Sequence, residues 1–446
     1  MNNIFPTLFK NKNTHSLLLQ FISALLGFTS FIVLARSFDK ISFGHWVIYI
    51  TAYGFIDVLR YGLTLQGTVR FLSGADETEK RKICSANWII NVATGLLIAL
   101  IVFIASLVFR KSIQSSDYHY FFIYYPLLVI ASFGSFNAQA VLQATQRFDR
   151  MLFLRSFEAG SFLLFLIFNY LWFHFELKAI ILVQIFIFAC SSIFCSIKKW
   201  DGLWCIRFAE KSSILKILNF GKYSTGTLLG AHLLRSADTF ILGLSSGLGA
   251  PAVAVYSIPM KAIEFIEIPL RAFSLTSYPV LSKLSLENKM DEFRKQFYTY
   301  SGALSLLFVP IMILGFIFAK EIMIIIGGKE YESGAIIFRI FTIFGLLTPL
   351  DRFTGIALDS LNRPDLNFYK IIFMVTANVI GDLIAVFVFQ NLVMVAWVTL
   401  AFLIIGAVSG LFFTKSTAKI EFSKILPYGY QFYRYYFKKY LHSNSA

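Results

Sequence analysis

Charge is scarce in this chain. Asp, Glu, Lys and Arg make up 15% of its 446 residues, hydrophobic residues 57%, and the mean hydropathy is +0.68. A soluble domain carries about a quarter charged residues, so an ordinary soluble enzyme is excluded. Cysteine is scarce too. Cys84, Cys190, Cys195 and Cys205 are too few for a disulfide framework, and Cys190 and Cys195 sit in an apolar run as small buried hydrophobes. No Gly-rich Lys motif of the Walker type occurs, so ATP hydrolysis is not expected. Gly247-Leu248-Gly249 has no strand before it and reads as a turn, and the six His lack ligand spacing. Neither a catalytic group nor a metal or other cofactor is expected. The first long apolar run ends in Ala35-Arg36-Ser37-Phe38 without a small-residue cleavage pattern, so it is expected to stay in the membrane.

What the chain has is apolar runs. A bilayer core of about 30 Å needs roughly 20 apolar residues in helix. Twelve segments meet that measure: 16–35, 46–66, 88–109, 121–143, 152–173, 179–197, 220–244, 252–274, 298–318, 335–358, 367–389 and 392–414. The seventh, eighth and tenth hold several charges each. The expected fold is an all-α integral membrane protein of about twelve transmembrane helices in two six-helix lobes. The first lobe covers 1–199 and the second 219–414. A basic cytoplasmic linker, 200–218, joins them, and a basic aromatic cytoplasmic tail, 415–446, follows as an interfacial segment on anionic lipid.

The net charge of +15 is spread over short runs between apolar stretches, which points to inner membrane loops and away from nucleic acid. With the N-terminus cytoplasmic, inner segments hold 24 Lys and Arg against 7 in the outer loops, so both termini are expected in the cytoplasm. All outer loops are short, which leaves no room for an extracytoplasmic catalytic domain.

The halves also resemble one another. Phe31-Ile32 followed by Phe55-Ile56-Asp57 matches Phe240-Ile241 followed by Phe265-Ile266-Glu267, at the first two spans of each half. Repeats of six plus six are a transporter architecture with the substrate path between the halves, pseudo-twofold related.

Ionisable residues inside spans cost about 2.5 to 3.5 kcal/mol each at the centre. Here many come as opposite-sign pairs on one helix face: Asp57/Arg60, Arg155/Glu158, Arg235/Asp238, Lys261/Glu264 and Glu267/Arg271. Each pair has a plain structural reading as a staple between helices. On the eighth span, however, Lys261, Glu264, Glu267 and Arg271 share a sector of about 120°. With Asp57, Arg60, Arg235 and Asp238 they are expected to form polar stripes lining a central cationic cavity. Arg60, Arg235, Lys261 and Arg271 suit an anionic ligand. Asp57, Asp238, Glu264 and Glu267 offer charge pairing or ion coupling. Arg155, Lys222 and Lys370 fall near cytoplasmic span ends and are expected to snorkel, whereas Asp351, Arg352 and Asp382 are deeper and open to either reading. Pro259, Pro269, Pro310 and Pro349 are expected to permit bends.

The residues Ala35-Arg36-Ser37 through Phe43-Gly44, Asp57 to Leu63, Ala237-Asp238-Thr239-Phe240-Ile241-Leu242-Gly243, Tyr278-Pro279-Val280-Leu281-Ser282 and Ile326-Gly327-Gly328-Lys329-Glu330-Tyr331 resemble polysaccharide flippases. These are the O-antigen and capsule branch of the multidrug/oligosaccharidyl-lipid/polysaccharide exporters. The resemblance runs nearly the whole chain in span order. It implies a polyprenyl-pyrophosphate-linked oligosaccharide as substrate, carried from the cytoplasmic to the outer leaflet of the bacterial inner membrane by alternating access, with ion coupling. Membrane lipids and other polysaccharide assembly proteins are the partners it implies. Two alternatives stand beside it. A multidrug or cation antiporter of the same superfamily would have a mainly acidic cavity, and a repeat-unit polymerase would need a sizeable outer loop.

Overall fold

Apolar side chains left bare on helices show where lipid must lie. The computed structural model describes residues 12–72 and 75–443, and among them there is no β-strand. The N-terminal tail with Lys10, and residues 444–446, on which the expected topology also drew, lie outside the described residues. Fourteen long helices follow in order: α1 Lys12–Ser37, α2 Lys40–Leu72, α3 Glu77–Val108, α4 His119–Ala144, α5 Phe148–Phe168, α6 Leu177–Ile197, α7 Lys211–Gly243, α8 Gly249–Ile266, α9 Ile268–Leu286, α10 Met290–Ile317, α11 Ala335–Ser360, α12 Pro364–Leu383, α13 Leu392–Ala418 and α14 Ile425–Ser443. On α3, Leu97, Leu100, Ile101, Leu107 and Val108 are 54–67% exposed, an arrangement water would penalise and lipid favours. The protein is a multi-pass integral membrane protein.

Helix lies over each of the twelve expected segments. Among the described residues nine helical stretches are long and apolar enough to cross a membrane. Lys40–Leu72, Lys211–Gly243 and the α8–α9 pair fall short of that measure. These three carry most of the candidate site charges, which lower their hydropathy.

The chain forms two compact units, Met1–Ala254 and Val255–Ala446. The division differs from the expected one, because α7 packs along α2 inside the first unit. Small residues bring those backbones together. A Cβ on Gly221 would sit 2.0 Å from the Leu63 carbonyl oxygen, and one on Gly62 would sit 2.9 Å from Thr225 Oγ1. The stretch 200–218 is built into the same unit. Asp201 and Ile217 are fully buried, and Ile217 joins a cluster with Ile83, Cys84 and Ala144. Gly221→Val is expected to drive α2 and α7 apart, since backbone cannot swing aside as a side chain can. The check is SDS or heat unfolding of purified protein: the variant should unfold well before the wild type, while Gly226→Ala, whose Cβ meets nothing within 4 Å, should not.

Polar side chains tie α2, α3 and α4 internally. Thr68 donates to Asn87 at 2.9 Å, and Asn87 and Asn91 both donate to Asn137, at 2.7 and 3.3 Å. With no water competing, such bonds fix which faces meet.

In the second unit, α10 packs against α11 and α14, and α13 against α11 and α12. The tail helix α14 therefore rests on protein as well as facing outward. Gly429 crosses Gly302 at backbone contact, Tyr433 donates to the Ala303 carbonyl at 2.9 Å, and Tyr298 accepts from Glu421 N at 2.8 Å. Tyr430, Tyr435 and Phe437 stay more than 60% exposed, which keeps an aromatic surface for the interface.

Of the prolines expected to bend helices, Pro269 alone coincides with a break. It stands in the first turn of α9, directly after the interruption at Glu267. Pro259, Pro310 and Pro349 lie inside continuous helices α8, α10 and α11.

Candidate functional site

The candidate charges divide between the two units. In the first, Arg60 is completely buried. Its Nη2 donates to Asp57 Oδ2 at 3.0 Å and Ser132 Oγ at 3.1 Å, its Nη1 to the Val129 carbonyl at 3.3 Å, and its guanidinium lies 4.1 Å from the Phe136 ring centroid. Asp57 and Arg60 both lie on α2, and the bonds from Arg60 to Ser132 and Val129 tie that helix to α4. Arg60, expected as a cavity cation, is fully buried within its own unit, with its Nε left without a hydrogen-bond partner.

Arg235 and Asp238, three residues apart on α7, differ sharply in environment. Arg235 is exposed while Asp238 is 3% exposed. Arg155 and Glu158 each hydrogen-bond to a different neighbouring helix. Arg155 donates to Gln139 Oε1 at 2.5 Å, and buried Glu158 accepts from Ser191 Oγ at 2.7 Å.

In the second unit the charged stretch sits astride the α8–α9 break. Lys261 Nζ is 3.0 Å from Glu264 Oε2, with the two side chains 39% and 30% exposed. Arg271, expected to pair with Glu267, reaches past it and donates to the Glu264 carbonyl at 3.0 Å. A helix end leaves carbonyls open, and this guanidinium caps one of them while remaining exposed. Glu267 is the single residue between the two helices and is partly exposed.

Two groups carry more than their sequence positions suggested. Lys370, expected to snorkel, is 3% exposed. Its Nζ lies 2.7 Å from Asp351 Oδ1 and donates to the Asp351 carbonyl, also at 2.7 Å. Gly355 and Gly410 border the lysine: Cβ atoms there would stand 3.5 Å from its Nζ and 3.4 Å from its Cδ, ordinary contact distances. Opposite charges at similar depth on consecutive spans were the available signal. Beside Asp351, Arg352 is exposed on α11. In the first unit, Asp117 joins three elements: its Oδ1 meets His45 Nε2 at 3.0 Å and its Oδ2 accepts from Ala250 N at 2.7 Å, at the start of α8. Neither His45 nor Asp117 had stood out, since loop carboxylates reveal a partner only once the fold is closed.

Among the described residues the protein is an all-helical, multi-pass membrane assembly. The solved inward-facing structure of a multidrug resistance MATE family transporter of the MOP superfamily has that fold, with a TM-score of 0.75 at 14% identity over 89% of this chain and 96% of that one. The family model described as polysaccharide biosynthesis protein matches residues 10–285, and the chain belongs to that family. The amylovoran biosynthesis protein AmsL of Erwinia amylovora is 25% identical over 273 residues, 59% of this chain and 65% of that protein. The probable low-salt glycan biosynthesis flippase Agl15 of Haloferax volcanii is 23% identical over 173 residues, 39% of this chain and 36% of that protein. The match thus spans less than two thirds of either relative's length. Of these proteins, the Haloferax relative is named a flippase and the solved neighbour a transporter.

Proposed function

We propose that this protein is a flippase that carries a polyprenyl-pyrophosphate-linked oligosaccharide repeat unit from the cytoplasmic to the outer leaflet by alternating access. It works in the bacterial inner membrane with both termini cytoplasmic. The observation that carries this reading is the family match over residues 10–285, which encloses all eight candidate charges between Asp57 and Arg271. Arg235 and Arg271, exposed, and Lys261, half-exposed, supply the cations for the pyrophosphate. Arg60 holds α2 in place for them. Asp238, Glu264 and Glu267 lower the cost of inserting those cations and offer the groups through which an ion gradient couples. A MATE-like fold also favours a second reading, a multidrug or cation antiporter.

The test is a deletion strain examined for lipid-linked oligosaccharide. Complete single repeat units stranded on the cytoplasmic face, cleared when the gene is restored, are expected. Normal surface glycan with altered drug tolerance would replace the flippase with the antiporter. Single units already delivered to the surface would point to polymerisation instead.

A further inference from the structure

Unit 1 contains a cavity of about 540 Å³, in the usual range for small-molecule sites of ~300–1,000 Å³. On the proposed topology it opens at the outer membrane surface. Its walls come from four places: Arg36 in the last turn of α1 with Asp39 just before α2, Tyr120 in the first turn of α4, Tyr170 just beyond α5, and His174 with Glu176 leading into α6. The walls are set before any ligand arrives. Asn169, 2% exposed, accepts from Phe175 N at 2.7 Å and so clamps the 170–176 loop. Tyr120 packs at a tilt among neighbouring rings, 4.0 Å from the His119 ring and 5.7 Å from the His45 ring, centroid to centroid. Asp39 is kept ionised: the Ser42 hydroxyl, with backbone amides of Ser42 and Ile41, holds its carboxyl below the usual aspartate value.

The lining discriminates among ligand classes. A phosphate entering here would meet two carboxylates, Asp39 and Glu176. A simple cation would meet Arg36. A hydroxylated ring satisfies both signs at once, because each hydroxyl donates one hydrogen bond and accepts others. Tyr120 and Tyr170 provide aromatic faces for the C–H face of such a ring. We propose that this cavity is a saccharide-binding subsite on the outer side of unit 1, which takes the sugar end of the lipid-linked substrate once it has crossed. The assignment of the sugar's origin rests on the flippase reading; the chemistry of the cavity does not.

The experiment is calorimetric titration of the full-length protein in lipid nanodiscs. The probe is the oligosaccharide freed by mild acid from the producing strain's lipid-linked pool, with inorganic pyrophosphate as competitor. Saturable binding at one site is expected, undisturbed by pyrophosphate and weakened about tenfold by Asp39→Asn and by Glu176→Gln, since each loses a charged acceptor. Tyr120→Ala should weaken it further; if that variant fails to fold, the two carboxamide variants still decide. Absence of saturable binding, unchanged binding in both carboxamide variants, or displacement by pyrophosphate would each overturn the subsite. Complementation of the deletion strain separates the two ideas. Wild-type protein that restores export without binding the sugar removes the subsite and leaves the flippase, whereas failure to restore export removes the flippase whatever the titration shows.

Discussion

Asp351→Leu should leave little folded protein in the membrane. The substitution removes the carboxylate from Lys370, whose side chain is 4% exposed and whose ammonium would keep only the Asp351 carbonyl and the Thr354 hydroxyl. Breaking a buried ion pair from one side typically costs about 3–5 kcal/mol, a large part of any protein's stability. Adding Lys370→Met should restore most of it, because the pair is then replaced by apolar groups of similar volume and no charge is stranded. The measurement is the fraction of protein that stays monodisperse in mild detergent across a temperature series. Equal losses in the single and double variants would mean that the pair's geometry, and not its charge balance, supports unit 2.

The second large effect separates binding from stapling. Arg235→Leu combined with Asp238→Leu is expected to insert, fold and lose export, while Arg60→Leu combined with Asp57→Leu is expected to keep most export at matched membrane abundance. The distinction comes from environment. Arg60 donates to Asp57, Ser132 and Val129 and is fully buried, whereas Arg235 is an exposed residue. Arg235→Lys should retain part of the activity, since an ammonium still attracts phosphate but loses the two-pronged geometry. Export at wild-type level from the Arg235/Asp238 double variant would remove Arg235 from the phosphate-binding set.

That helix covers the apolar segments was readable because a bilayer imposes a length, and length survives without knowing any contact. The break at Glu267 was not: 252–274 reads as one span in which Pro269 permits a bend, although proline at a first helical turn has a fixed meaning. What sequence could not convey was inward direction. Lys370 stands close to a span end by count, and its burial against Asp351 emerges only once α11 and α12 are packed together. Arg60 and Arg235 have the same partner type at the same spacing, yet one is sealed in and one is exposed. Proline within a helix was equally silent: Pro259, Pro310 and Pro349 read like Pro269, although their helices continue. The outer cavity drew on Arg36, Asp39, Tyr120 and Glu176, residues scattered over some 140 positions and individually ordinary for loop and interface.

The close seam between α2 and α7 has a consequence for how the protein is made. A ribosome delivers the N-terminal part first, and domains settle as they emerge. When the sixth span is complete, the face of α2 around Gly62 and Gly67 has no covering helix, and only Lys211–Gly243 brings Thr225, Gly221 and Ile217 to it. Assembly of the first unit therefore waits for a helix that sequence similarity assigns to the second half. A chain interrupted in 200–218 is expected to leave an open flank prone to the wrong partners, while one cut after Ala254 carries every part of that seam.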